Sequence, residues 1–270
     1  MPGRVYALAN QKGGVGKTTT AINLAACLAE AGERTLVVDL DPQANATSGL
    51  GERLERPHRR SRHGLQDGIA SDALGSSSLD LLDGIPLSKL AKPTRFPRLE
   101  LVPSRPELAG AAVELARRPD GEKYLAEALA GAGEGYAFVF VDCPPSLGPL
   151  TVNALAAADR VLVPVQAEYY ALEGLAQLVG SVELVRARLN PRLALGGVLL
   201  TMVDRRTRLA ADVSAEVRRH FGELVFRAAV PRSVRVAEAP SHGLPVTAFD
   251  RASAGADAYW KVAMELVGRS

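Results

Sequence analysis

The chain has 270 residues, of which 47% are hydrophobic and 23% charged, and its formal net charge is only +2. This is the composition of a globular protein with ample material for a core, and so small a cationic excess does not by itself argue for nucleic acid. Cys27 and Cys143 form no spaced metal or disulfide framework, no apolar run approaches the ~18 residues of a membrane span, and no secretory leader precedes the first apolar run, so a cytoplasmic protein without a membrane span is expected.

In chain order, Val5-Tyr6-Ala7-Leu8-Ala9 reads as a strand. It runs into Gln11-Lys12-Gly13-Gly14-Val15-Gly16-Lys17-Thr18-Thr19, after which Ala21, Ile22, Leu24, Ala25, Leu28 and Ala29 recur at helical spacing until Gly32. Strand, glycine loop and helix is the context of a phosphate-binding loop. Gly13, Gly14 and Gly16 allow a tight turn with several N–H groups aimed at one anion, and the helix N-terminus adds its dipole. Lys17 can reach β- and γ-phosphates and Thr18 can put its hydroxyl on Mg²⁺. The strict pattern G-x-x-x-x-G-K-[ST] is broken, because Gln11 stands where its first glycine would fall and a second lysine, Lys12, follows.

Thr35–Asp39 is a continuous apolar run closed by acids. Similar runs return at Leu99–Pro103, Tyr136–Asp142, Arg160–Val165 and Leu195–Thr201. Continuous rather than alternating apolarity indicates strands buried on both faces of a parallel sheet. Helical patterns lie between them, one carrying Leu172, Leu175, Val179, Val182 and Val185 on one face, another Leu209, Val213 and Val217. Strands alternating with helices over the whole length predict an α/β fold: a single domain, residues 1–270, with a doubly wound, mostly parallel sheet and helices on both faces. The irregular stretch from about 51 to 97 carries Arg53, Arg56, His58, Arg59, Arg60, Arg62 and His63. It reads as a basic insertion, a solvated loop with short helices in the first reading and a contribution to polyanion binding in the second.

A nucleotide triphosphatase also needs a carboxylate on the metal side and a group that positions the attacking water. Asp142 closes the strongest apolar strand, ahead of Cys143-Pro144-Pro145-Ser146-Leu147-Gly148, and Asp39 and Asp41 stand at a second strand end. Ligand sites in open α/β sheets lie beyond the carboxyl ends of the strands, where all these groups can converge.

Lys12–Thr19, Val38-Asp39-Leu40-Asp41-Pro42-Gln43 and Val141–Gly148 together closely resemble the ParA/Soj chromosome- and plasmid-partitioning ATPases of the deviant Walker A class. The resemblance continues through Pro164–Gly174, Gly197–Met202, Pro231–Arg235 and Glu238–Gly243. It implies a P-loop NTPase that uses ATP/ADP and Mg²⁺, with Gly13, Gly14, Val15, Gly16, Lys17, Thr18 and Thr19 on the nucleotide and Pro231 and Ser233 flanking the adenine. By the same resemblance Lys12 is the signature lysine that crosses to the nucleotide of a second subunit in an ATP-dependent homodimer. Asp41 orients the hydrolytic water, Asp39 is a carboxylate near the metal, and Asp142 joins Thr18 on the metal side. The resemblance further implies sequence-independent binding of double-stranded DNA through Arg206 and Arg235, nucleoid association, and a ParB-type centromere-binding partner. Arg205, Arg218, Arg219 and Arg232 lie in neighbouring segments and can widen that basic patch.

Other classes fit less well. A MinD-like membrane ATPase would want a cationic amphipathic tail. The C-terminal stripe Tyr259, Val262, Ala263, Leu266 and Val267 has few cations opposite it, which favours packing on the sheet. An iron-protein-like reductase needs two cluster cysteines per subunit at a dimer surface, and Cys27 falls on the apolar face of the first helix. A metabolic ATP-dependent ligase, such as a dethiobiotin-synthetase-like enzyme, would need a pocket signature for a small acceptor, and none is apparent.

Overall fold

The strands alternate two sets of apolar side chains, and both sets need cover. In the computed structural model, which describes residues 3–52, 77–168, 171–204 and 206–269, seven strands form one sheet. These are β1 (Arg4–Leu8), β2 (Thr35–Asp39), β3 (Lys92–Pro93), β4 (Leu99–Val102), β5 (Phe138–Asp142), β6 (Arg160–Gln166) and β7 (Ala194–Thr201). Their order is β3-β4-β2-β5-β1-β6-β7. Only the short edge strand β3 is antiparallel to its neighbour; the others run parallel, so their carboxyl ends share one edge. The β2–β5 register sets Asp39 directly beside Asp142 at that edge.

On one face Val5, Ala7, Val38, Val139 and Val141 pack with Leu150, Ala154, Leu175, Leu178, Val182 and Val185, which come from helices Pro149–Ala157 and Ala171–Arg188. On the other face Tyr6, Leu8, Val37 and Phe140 meet helices Lys17–Glu30 and Ala254–Arg269. Tyr6, Phe138 and Phe140 stack there with ring centroids 5.7–6.3 Å apart. Tyr259, Val262, Ala263 and Leu266 are buried against this face, while Val267 points outward. The C-terminal stripe is therefore a core contact.

Two helix faces differ from the sequence expectation. In Ala171–Arg188 the buried stripe is Leu175, Leu178, Val182 and Val185, and Leu172 and Val179 are half-buried. The stripe follows i, i+3, i+7, i+10, the true 3.6-residue period. In Arg208–Phe221, Ala210 and Val217 are buried and Leu209 is exposed, since Leu209 falls just off that stripe. Within the irregular stretch, helices Ser78–Leu82 and Leu87–Leu90 and the strand β3 are formed. Ser77 and Asp80 make a reciprocal capping box for the first of these helices. The basic run from Arg53 to His63 lies outside the described residues, as does Arg205. Among the described residues no helix is long and apolar enough to cross a membrane.

Candidate functional site

The loop after β1 is tied down by its own side chains and by strands far away in sequence. Asn10 donates its amide to the Pro164 carbonyl at 2.8 Å and accepts the Lys12 N–H at 3.0 Å. Thr201, the last residue of β7, donates its hydroxyl to the Val15 carbonyl at 2.8 Å. Gly14 and Gly16 have φ of 73° and 91°, the left-handed region that other residues enter only at a cost. Gly16 opens the helix Lys17–Glu30 and no side chain caps it, so the first-turn N–H groups remain available to a ligand. Lys17 is buried and folds back over the loop, its Nζ donating to the Lys12 carbonyl at 3.2 Å. Burial pulls its pKa down, and the nearby Asp142 carboxylate is the strongest opposing influence.

Beside this loop is a cavity of about 370 Å³ lined by Gly13, Gly14, Gly16, Lys17, Thr18 and Thr19 on one side and by Asp41, Gln43, Asn45 and Ser48 on another. Asp41 is almost fully buried, and its Oδ1 accepts the Gln43 N–H at 3.0 Å. Asp142 is completely buried and, among the described residues, neither of its oxygens has a hydrogen-bond partner. Burial first, then the neighbouring Asp39, raises its pKa well above the usual carboxylate range, while Thr18 and Lys17 favour its charge. Two orphaned carboxylate oxygens next to a threonine hydroxyl and a lysine are costly unless a cation or its water shell uses them, and the donor chemistry fits Mg²⁺. Among the described residues no cluster of three His, Cys, Asp or Glu could hold a metal on its own, so phosphate and water would complete such a site.

Asp39 differs from Asp142. Its Oδ1 accepts the Asp41 N–H at 3.1 Å, and its Oδ2 accepts the Thr47 N–H at 2.8 Å and the Thr47 hydroxyl at 2.7 Å. Burial pushes its pKa up to about 6, with these donors pulling the other way and Asp41 adding to the rise. Asp39 thus sits beside Asp142 with both oxygens already engaged by the loop that carries Asp41.

Lys12 stands apart from the cradle. Its ammonium pairs with Glu168, just after β6, at 2.5 Å, and both side chains are about half exposed, 50% and 46%. Pro231 and Ser233 do not line the cavity. Ser233 caps helix Val234–Glu238 by accepting the Val236 N–H at 3.4 Å, and Pro231 lines a neighbouring cavity of about 740 Å³ with Leu200, Val203 and Arg218. The wall beyond the loop is instead made by Ile22, Met202 and Pro240. Asn10, Thr47, Glu168, Met202 and Pro240 were given no role by the sequence, which offers only local pattern.

Among the described candidate arginines, Arg206 and Arg232 lie in segments that the structure brings together. A bridge between Val203 and Pro231 sets the Arg206 loop beside Arg232, with Arg235 one turn further. Arg206 grips Asp204 with Nε and Nη2 at 2.9 and 2.7 Å, which holds the Asp204 carboxyl well below its usual range. Arg235 pairs with Glu238 and Asp250, and Arg219 with Glu216. Arg218 is committed to the Phe226 and Arg227 carbonyls.

An AAA domain family model matches residues 3–195. The chain is 54% identical to the chromosome-partitioning ATPase Soj of Thermus thermophilus, over 98% of this chain and 96% of that protein. It is 48% identical to the chromosome partitioning protein ParA of Myxococcus xanthus, over 99% of this chain and 89% of that one. Among solved structures, cobyrinic acid a,c-diamide synthase from Mycobacterium smegmatis with bound ADP and magnesium superposes with a TM-score of 0.79 at 36% identity, covering 98% of this chain and 94% of that one. With a glycine loop lining a cavity at the carboxyl edge of the sheet and full-length identity of this order, the chain belongs to the ParA/Soj family of chromosome-partitioning ATPases.

Proposed function

We propose that this ATPase works as a two-subunit switch in DNA segregation. ATP enters the cavity beside the loop, with its phosphates against the Gly13–Thr19 backbone and Lys17. Thr18 and Asp142 would hold Mg²⁺, which supplies charge neutralisation of the phosphate oxygens when bound. Asp41 orients the hydrolytic water from the opposite wall. Lys12 completes the site of a second copy, so ATP drives a homodimer. The dimer binds double-stranded DNA without sequence preference through Arg206 and Arg235, widened by Arg205, Arg219 and Arg232, and hydrolysis releases it. A ParB-type centromere-binding protein stimulates that hydrolysis. The protein would accordingly be cytoplasmic and nucleoid-associated.

The observation that supports this reading best is the division between the two lysines: Lys17 fills the cradle, whereas Lys12 lies outside it with its ammonium at the surface. A second cation inside the cradle would crowd Lys17; one at the rim is free to meet another subunit's phosphates. The arginine neighbourhood supports the DNA limb, because sequence-independent binding needs only cations at phosphate spacing. The likeness to an amide-forming synthase at 36% identity favours a second reading, ATP-dependent activation of a small carboxylate.

One experiment separates them. Mg²⁺-ATP hydrolysis and size-exclusion elution are measured with duplex DNA and, separately, with glutamine and candidate carboxylates. The switch reading expects an ATP-dependent dimer that Lys12→Ala reduces to a nucleotide-binding monomer, and salt-sensitive DNA retention that Arg206→Glu or Arg235→Glu abolishes while the dimer persists. A normal Lys12→Ala dimer, or DNA retention unchanged by the arginine variants, overturns it. Amide formation from a carboxylate would favour the synthase.

A further inference from the structure

Asp39 and Asp41 were visible as acids at a strand end; the group that ties their loop to the sheet is a neutral one. Thr47 is fully buried in the short helix Asn45–Gly49, which starts at Ala44 in the left-handed region. Its hydroxyl donates to Asp39 Oδ2 at 2.7 Å and accepts the Ser104 N–H, just past β4, at 2.9 Å. The direction of both bonds is forced. A backbone N–H can only donate, so the single hydroxyl proton must go to the carboxylate. The Thr47 N–H joins the same oxygen, and the other Asp39 oxygen takes the Asp41 N–H. Residues 40 to 47 are thereby wrapped around one buried carboxylate and pinned to the end of β4.

We propose that Thr47 is a positioning residue for ATP hydrolysis: its hydroxyl, held between Asp39 and Ser104, fixes the loop that presents Asp41 to the cavity. This rests on the reading of Asp41 as the group that orients the water. A displacement of Asp41 by about 1 Å is enough to slow such a step by up to roughly 100-fold, whereas the phosphate loop and Lys17, held by other contacts, stay in place. Valine has the shape of threonine and loses both bonds; serine keeps the hydroxyl that makes them.

The test uses the full chain. For Thr47→Val the expected result is a kcat for ATP reduced about tenfold or more, with KM for ATP and Kd for ADP within about threefold. Amide hydrogen exchange of residues 41–47 should be at least about tenfold faster, with β1 and β5 amides unchanged. Thr47→Ser should restore both readouts. Parental kcat in Thr47→Val, slow loop exchange despite a low kcat, or failure of serine to restore either readout overturns the proposal. Thr47→Ala takes the place of the valine variant if that one does not fold. Asp41→Ala is measured alongside: parental hydrolysis there would sink the reading of Asp41, while loop exchange in the Thr47 variants still decides whether the hydroxyl fixes the loop.

Discussion

Lys12 and Lys17 lie five residues apart in one loop, yet the fold treats them in opposite ways. Lys17 is buried, bonded to the loop's own backbone and surrounded by Asp142 and Asp41. The Lys12 side chain is half exposed and its ammonium pairs with Glu168, which is equally open to water. An exposed pair of this kind contributes about 0–1 kcal/mol and is released cheaply, whereas removing one member of a buried charged group leaves the others uncompensated and costs several times more. The inner half of the site is therefore set by the fold before any ligand arrives, and the rim is left adjustable. Such a division suits a site whose last component must move to a new partner.

The sharpest way to break this comparison is Lys17→Ala. It should lower ATP hydrolysis by about 10²–10³-fold and weaken nucleotide binding; turnover within tenfold of the parent would mean that the inner half is not where the phosphates are held.

Next in size is the pH dependence of the nucleotide-free protein. Asp39 has a folded-state pKa of about 6 against an ordinary 3.8, so between those values the folded form binds more protons than the unfolded one. Stability from this group is present at low pH and lost as pH rises through about 6, with a slope of up to about 1.4 kcal/mol per pH unit. Thermal melts from pH 4 to 6.5 should show Tm falling with pH from this source, and Asp39→Asn should flatten the curve by removing one titration and lowering that of Asp142. An Asn variant with the parental slope would contradict this account.

Thr201→Val removes the donor to the buried Val15 carbonyl and should cost about 1–3 kcal/mol by chemical denaturation, at the boundary between the two regions. Glu168→Gln should change stability by less than about 1 kcal/mol and leave nucleotide binding unaltered. A loss as large as that of Thr201→Val would show that the rim is as firmly built as the interior.

Sequence and structure agree where the signal is local. The parallel sheet was legible because buried strands are continuous apolar runs, and the convergence of Lys17, Thr18, Asp41 and Asp142 on one edge because glycine spacing and strand ends mark them within a few residues. The contacts that hold these groups are different in kind. Thr201 reaches Val15 across 186 positions, Glu168 reaches Lys12 across 156, Asn10 reaches Pro164 across 154 and Ser104 reaches Thr47 across 57. Each depends on which strands end side by side, and no periodicity records that. For Pro231 and Ser233, which motif resemblance puts on the adenine, the structure shows contacts the motif does not announce: Ser233 caps a helix, and the cavity beside the loop is lined by Met202 and Pro240. The spacing of Leu209, Val213 and Val217 misjudged Leu209, because a helix stripe can be entered from either neighbouring position.

The loop that carries Asp41 continues through helix Asn45–Gly49 to Gly51, and Gly51 meets Gly243. A methyl added to Gly243 would lie 2.6 Å from the Gly51 Cα, and one on Gly51 would lie 3.1 Å from the Gly243 carbonyl oxygen. Both residues have positive φ, 85° and 64°, so neither can gain a side chain without strain. A methyl on Gly49 would likewise strike Ile22 of the first helix at 2.6 Å. Backbones this close act like meshed teeth: the acid-bearing loop cannot shift toward residues 239–243 without driving them, and those residues follow directly on the helix that holds Arg235. The nucleotide edge and the arginine edge share one bearing, and that bearing is built of glycine.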